Sequence, residues 1–202
     1  MKLYYLAVIR TPAQSDPNAK GNGFELVSAQ RLDSFSYFQR APALEFMKMI
    51  SVTIAERQAV GARTTIEEQS CNFHTFRRSE GFTVTAICDL EYDKLVAHRL
   101  IAKIADDFLA GRDQSWKTGN VRCSMPELED LITQFQDPNA DTLKQLQVQI
   151  DQTKIELMQA IESMMKRGES LDKLVADSEA LSSSSKMFYK QAKKQNSCCV
   201  VM

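Results

Sequence analysis

The residues best suited to covalent chemistry stand at the end of the chain, where Cys198 and Cys199 precede Val200, Val201 and Met202. A cysteine followed by two aliphatic residues and one last residue is the acceptor pattern for prenylation, and a terminal Met favours farnesyl. The Cys199 sulfur would carry the isoprenoid, and removal of the last three residues would leave it at the terminus. A single lipid chain holds a protein only marginally and reversibly, so stable anchoring calls for a second signal. Cys198 can supply one as an acylation site. Lys186, Lys190, Lys193 and Lys194 add an attraction on the order of 1 kcal/mol each near an anionic leaflet. Small GTPases share such ends, but the G-x-x-x-x-G-K-[ST] phosphate loop does not occur in this sequence.

Other chemistry finds little support. Cys71 and Cys88 sit in strand-like runs and read as small buried hydrophobes. Cys123 is the fifth cysteine, and with no secretory signal a reduced cytosolic setting is expected. His74 and His98 are the only histidines, and no Cys/His cluster has zinc spacing, so neither a metal nor a cofactor is expected. There is no G-x-S-x-G and no recognisable Cys/His pair, so no catalytic residues are assigned. The net charge of -1 gives no basic field for nucleic acid. No apolar run reaches the ~18 residues that a bilayer span needs. Lys2 occupies the position where myristoylation requires Gly.

A second kind of signal fills residues 141–196. Seam positions at alternating three- and four-residue steps fall on Leu143, Leu146, Ile150, Thr153, Leu157, Ala160, Met164, Arg167, Leu171, Leu174, Ser178, Leu181, Ser185, Phe188, Ala192 and Gln195. Eleven of these are apolar, and the residues between them are mostly polar, which predicts a coiled-coil seam. As one helix it would run roughly 78 Å at ~1.5 Å per residue. Alone it should be weak, because Gly168 costs about 1 kcal/mol relative to Ala and a bare stripe has nothing to bury against. The segment should therefore fold when partner helices arrive. Arg167 falls mid-seam, where its five donors demand acceptors, unless the register is shifted and Arg167 faces solvent. Glutamine carbonyls from three other helices would satisfy them and set the register of a four-helix bundle.

Residues 1–136 must carry this apparatus, with 137–140 as linker and 197–202 as the modified tail. "KLYYLAVIR" and "FELVSAQRL" read as strands joined by the polar "TPAQSDPNAKGNG". After Pro42, the spacing of Ala43, Met47, Ile50 and Ile54 predicts a helix ended by Gly61. Three strands follow in "ARTTIEEQS", "NFHTFRR" and "FTVTAICDL", then a helix on Val96, Leu100, Ile104 and Phe108 that closes near Gly111. Ser124 and Pro126 open a last helix carrying Leu128, Leu131, Ile132 and Phe135. The expected order is ββαβββαα. Phe35, Tyr37 and Phe38 form an aromatic cluster ahead of the first helix that could simply be core.

The stretch "MKRGESLDKLVADSEALSSSSKMFYKQAKKQNSCCVVM" resembles the C-terminal half of an R-SNARE. Together with "SYFQR" and the ββαβββαα order, it is most similar to the lipid-anchored longin R-SNAREs, the YKT-type branch of the synaptobrevin superfamily. The likeness covers nearly the whole chain, the longer polar first connection being one departure. It implies an α+β, profilin-like longin domain with a five-stranded antiparallel sheet, followed by a long coiled-coil helix. It implies that Arg167 is the central ionic layer, and that Qa, Qb and Qc SNARE helices are the partners for docking and fusion of vesicles. The SNARE disassembly machinery and a prenyltransferase join them as expected partners. The likeness allows a second prenyl group on Cys198 in place of an acyl chain. It places the protein in the cytosol and on the cytoplasmic face of Golgi, ER, vesicle, vacuolar or endosomal membranes. It further implies autoinhibition, with the longin domain folded back over the seam and the lipid, and Phe38 as the contact residue. Phosphate on Ser178 or Ser185 would disrupt the seam. Two other readings are an accessory role in protein acylation and a prenylated, self-associating trafficking adaptor.

Overall fold

The computed structural model describes residues 1–11, 23–68, 70–110, 114–118, 120–136, 150–151 and 154–197. Leu143, Leu146, Thr153, Cys198 and Cys199 lie outside them, as do residues 12–22 of the first connection and Gly111.

Strand β1 (Leu3–Arg10) is apolar at nearly every position and becomes an inner strand, covered on both faces. It pairs antiparallel with β2 (Phe24–Gln30) on one side and with β5 (Phe82–Cys88) on the other. β3 (Arg63–Glu67) and β4 (Asn72–Arg78) complete five antiparallel strands. The turn between β4 and β5 is tight and holds Gly81 at φ +100°, a backbone state that favours glycine. Side chains of β1 alternate between two cores, as a two-residue period demands. Leu6 and Val8 enter one with α2 (Lys94–Ala110) and α3 (Glu127–Gln134). Tyr5, Ala7 and Ile9 enter the other with α1 (Tyr37–Arg57).

Local differences from the sequence reading have simple causes. α1 starts at Tyr37, so Tyr37 and Phe38 belong to its first turn and Pro42 lies inside it. Proline there forfeits only the bond to the carbonyl four residues back, which belongs to the exposed Phe38. A 3-10 turn at Gln114–Lys117 brings Trp116 against Phe82 and Phe108, with ring centroids 5.5 Å apart in both pairs. Ser124 does not cap α3; the residue ahead of that helix is Pro126, without a side-chain cap.

The larger difference follows residue 136. The expected continuous helix is absent from residues 154–197. Ile155–Met158 forms β6, a parallel strand on the free edge of β3, giving the order β2-β1-β5-β4-β3-β6. A 3-10 turn follows at Ile161–Met164, then α4 (Leu171–Asp177) and α5 (Ser183–Ser197). Each break has a chemical reason. Gly168 sits at φ +87° in a left-handed turn, which a helix cannot pass through. Ser170 accepts from the Lys173 amide to start α4, and Ser182 accepts from the Ser185 amide to start α5. The serines that weaken a long helix make good caps for short ones. With no partner helix present, the apolar side chains take the nearest dry surface, which is α1 and the β3 edge.

Candidate functional site

The interface between α1 and the folded-back segment is built from four buried apolar residues. Ile161 (1% exposed), Leu171 (5%), Val175 (2%) and Leu181 (6%) join Met47, Ile50 and Ile54 in one cluster. Full burial of such side chains contributes about 2 kcal/mol each before ordering entropy is subtracted. Leu171 and Leu181 belong to the predicted seam, whereas Ile161 and Val175 do not. The folded-back state therefore draws on two faces of the segment, and the seam on one.

Polar contacts fix the register of that interface. The Glu45 carboxylate accepts from the Ser182 amide at 2.9 Å and from the Ser185 hydroxyl at 2.6 Å. These bonds, that from Ser185 first, hold its pKa below the usual carboxylate range. Arg57 at the end of α1 bridges Glu169 at 2.9 Å, and Phe46 stacks on Tyr189 at 5.4 Å. Glu68, beside β3, accepts from the Ile161 amide at 3.3 Å. Tyr189 donates to Asp172 at 2.8 Å; burial first, then that carboxylate, raise the phenol pKa.

The remaining seam residues are split by this arrangement. Ser185 is fully buried; Ile150, Ala160, Met164, Leu174, Ser178, Phe188 and Ala192 are half-buried. Leu157 is 56% exposed on β6, and Arg167 is exposed in the turn that precedes Gly168. Phe38 does not make the expected contact among the described residues: it stands 87% exposed, its ring edge-on to Tyr37 at 5.6 Å. The covering contacts come from Glu45, Phe46, Met47, Ile50, Ile54 and Arg57 of α1. Sequence reasoning placed Met47, Ile50 and Ile54 on a helix face but missed their part in this interface and that of Glu45, Phe46 and Arg57, yet one signal was present in the folded-back segment. Ile155, Met158, Ile161, Met165 and Val175 are apolar and have no place in the seam.

Beneath β3, on the face opposite α1, lies a buried polar cluster. The Thr65 hydroxyl meets His74 Nδ1 at 3.0 Å and His98 Nε2 at 2.8 Å. Burial, then the neighbouring His98 and Lys94, push His74 down to about 3. Burial, then Arg63, push His98 down to about 4. Both rings are therefore neutral near pH 7. Among the described residues no group of three or more His, Cys, Asp or Glu could hold a metal, and no helix is long and apolar enough to cross a membrane.

Two family models match the chain: a longin, regulated-SNARE-like domain over residues 32–132, and synaptobrevin over 142–200. The chain belongs to the synaptobrevin family of longin-domain SNARE proteins. Its relatives include the synaptobrevin homolog YKT6 of Debaryomyces hansenii, 42% identical over 207 residues and covering all of both chains. The homolog ykt6 of Schizosaccharomyces pombe is 42% identical over 203 residues, and YKT6 of Saccharomyces cerevisiae 39% over 207, both again at full coverage. An α+β longin domain with an R-SNARE segment acting in vesicle trafficking and membrane fusion is thus the class that sequence, fold and relatives share. Its partners are other SNARE proteins.

Proposed function

We propose that the chain is a lipid-anchored R-SNARE held inactive by its own longin domain, and that assembly requires the segment to leave α1 and β3. The observation that carries this reading is the burial of residues that the seam spacing also selects. Leu171, Leu181 and Ser185 are buried against the longin domain, and they are also layers of the seam that partner helices would cover. While they face α1 they cannot face a bundle. Straightening would remove β6 from the β3 edge, abolish the Gly168 turn and carry Arg167 from water into the central layer. There, glutamine carbonyls of Qa, Qb and Qc helices would accept from its guanidinium. Zippering toward the tail would then pull two bilayers together by apolar burial and helix formation.

The tail chemistry belongs to the same proposal. Farnesyl on Cys199, with an acyl or second prenyl group on Cys198, would anchor the chain to cytoplasmic faces of endomembranes, and a soluble pool would need that lipid shielded. Phe38, exposed beside Tyr37, remains our candidate for contact with the lipid itself. Disassembly machinery would return the spent chain to the folded-back state.

The test mixes the full chain with three Gln-SNARE helices and follows induced helicity by circular dichroism. Arg167→Ala should leave the folded-back state within about 0.5 kcal/mol of wild type, as an exposed position predicts, while impairing fusion of reconstituted vesicles. Fusion at wild-type rate by Arg167→Ala would refute the ionic-layer role. Helicity gained equally without the partners would refute heteromeric assembly.

A further inference from the structure

The lysines of α5 form a feature that the apolar interface does not use. Lys186, Lys190, Lys193 and Lys194 recur at i, i+4, i+7 and i+8, which gathers them into a stripe about 100° wide on a helix. Ser185 and Tyr189 point instead to Glu45 and Phe46 on α1. Lys190, Lys193 and Lys194 are exposed, and Met187, on the lysine side by spacing, is 59% exposed. From Ala180 to Met202 the chain has no acidic residue, so nothing within the helix offsets this charge.

Two of the four lysines are held by α4. Lys193 Nζ lies 2.5 Å from Asp172 Oδ2, and Lys186 Nζ donates to the Ala176 carbonyl at 2.7 Å. These contacts exist because the chain doubles back. In a continuous helix residues 172 and 193 would stand about 32 Å apart, and 176 and 186 about 15 Å. A lysine side chain spans neither distance. Straightening the segment therefore strips Lys193 of its carboxylate and Lys186 of its acceptor in one step.

We propose that the lysine row of α5 is a binding site for an anionic phospholipid surface, kept at partial strength by the α4–α5 hairpin through Asp172. The row is about 12 Å long, lies on one side of a helix, and has an apolar Met187 beside it by spacing. That shape fits a plane of headgroups. The helix ends at Ser197, next to Cys198 and Cys199, so the row adjoins the residues that would carry lipid. The proposal rests on the opening motion described above and adds an electrostatic consequence: the open chain binds the membrane more tightly than the closed one.

The experiment measures co-flotation of the full-length chain with phosphatidylcholine vesicles, with and without phosphatidylserine, alongside hydrogen exchange over residues 155–194. Asp172→Asn should strengthen binding to the anionic vesicles about fivefold for each lysine released, leaving binding to the neutral ones unchanged. Lys193→Ala should cancel that gain, and Lys190→Ala should weaken anionic binding about fivefold in both backgrounds. The proposal is overturned if Asp172→Asn leaves anionic binding unchanged, if it raises binding equally on neutral vesicles, or if an acidic protein competes the chain off at low concentration. Failure of the opening motion is read separately: residues 155–194 would then stay protected when partner helices are added, while the Lys190→Ala effect persisted.

Discussion

Val175 separates the folded-back state from an assembled one, because it is buried at 2% exposure in the cluster that includes Met47, Ile50 and Ile54 of α1 yet lies outside the predicted seam. Val175→Ala removes two methyl groups from that cluster. At about 0.8 kcal/mol per buried carbon, plus a cavity term for incomplete collapse, the folded-back state should lose about 2 kcal/mol. Alanine's better helix propensity offsets about 0.5 kcal/mol of this, which the cavity term covers. A loss of that size moves the closed-to-open ratio about 30-fold toward open. Hydrogen exchange of α4 and α5 should accelerate by the same factor while β1, β4 and β5 keep wild-type protection. Assembly with Gln-SNARE helices should accelerate in parallel, and the finished complex should melt as wild type does. Leu171→Ala provides the contrast, because Leu171 serves both states: it should open the chain and also weaken the complex. Unchanged exchange in α4 and α5 for Val175→Ala would refute the claim that apolar burial on α1 holds the segment closed. So would a loss of protection spread evenly over the longin sheet.

Two further predictions concern single polar features. The folded chain keeps His74 and His98 neutral, whereas the unfolded chain titrates them near pH 6.5. Below that pH the unfolded state holds more protons, so stability falls as pH falls, until the folded groups titrate at about 3 and about 4. Between pH 7 and pH 5 the loss should be about 2 kcal/mol per histidine; urea melts at the two pH values measure it, and His98→Leu should halve the slope. Ser185→Asp sets a carboxylate against Glu45, whose oxygen now accepts from the Ser185 hydroxyl at 2.6 Å. It should raise exchange of α5 at least about tenfold, from the lost charge-assisted bond alone, and Glu45→Gln should restore part of the protection.

Much of the longin domain was legible because its strands and helices bury faces that repeat at 2 and 3.6 residues. "FTVTAIC" is buried along its whole length, and α2 carries Val96, Leu100, Ile104 and Phe108 inward as spaced. The start of α1 was misread because an internal proline looks like a boundary. Phe38 shows the limit of such signals: an aromatic residue at a helix start can be core or contact, and the first turn of α1 turns this one to water. The Thr65–His74–His98 cluster joins residues from β3, β4 and α2, and no local pattern ties them together.

The C-terminal half shows the division most clearly. Its residue types alone gave a heptad-spaced stripe with Arg167 at its middle, because spacing is a property of the order of side chains. They also supplied the glycine and the serines that permit it to break. Whether it runs straight or folds back depends on which apolar surface lies within reach. In the single chain that surface is α1 and the open edge of β3, and burial there outweighs the propagation of a lone helix. Only the tertiary structure could decide it, because the residues that compete for the segment, Glu45, Phe46, Ile50 and Arg57, are more than a hundred positions away in the chain.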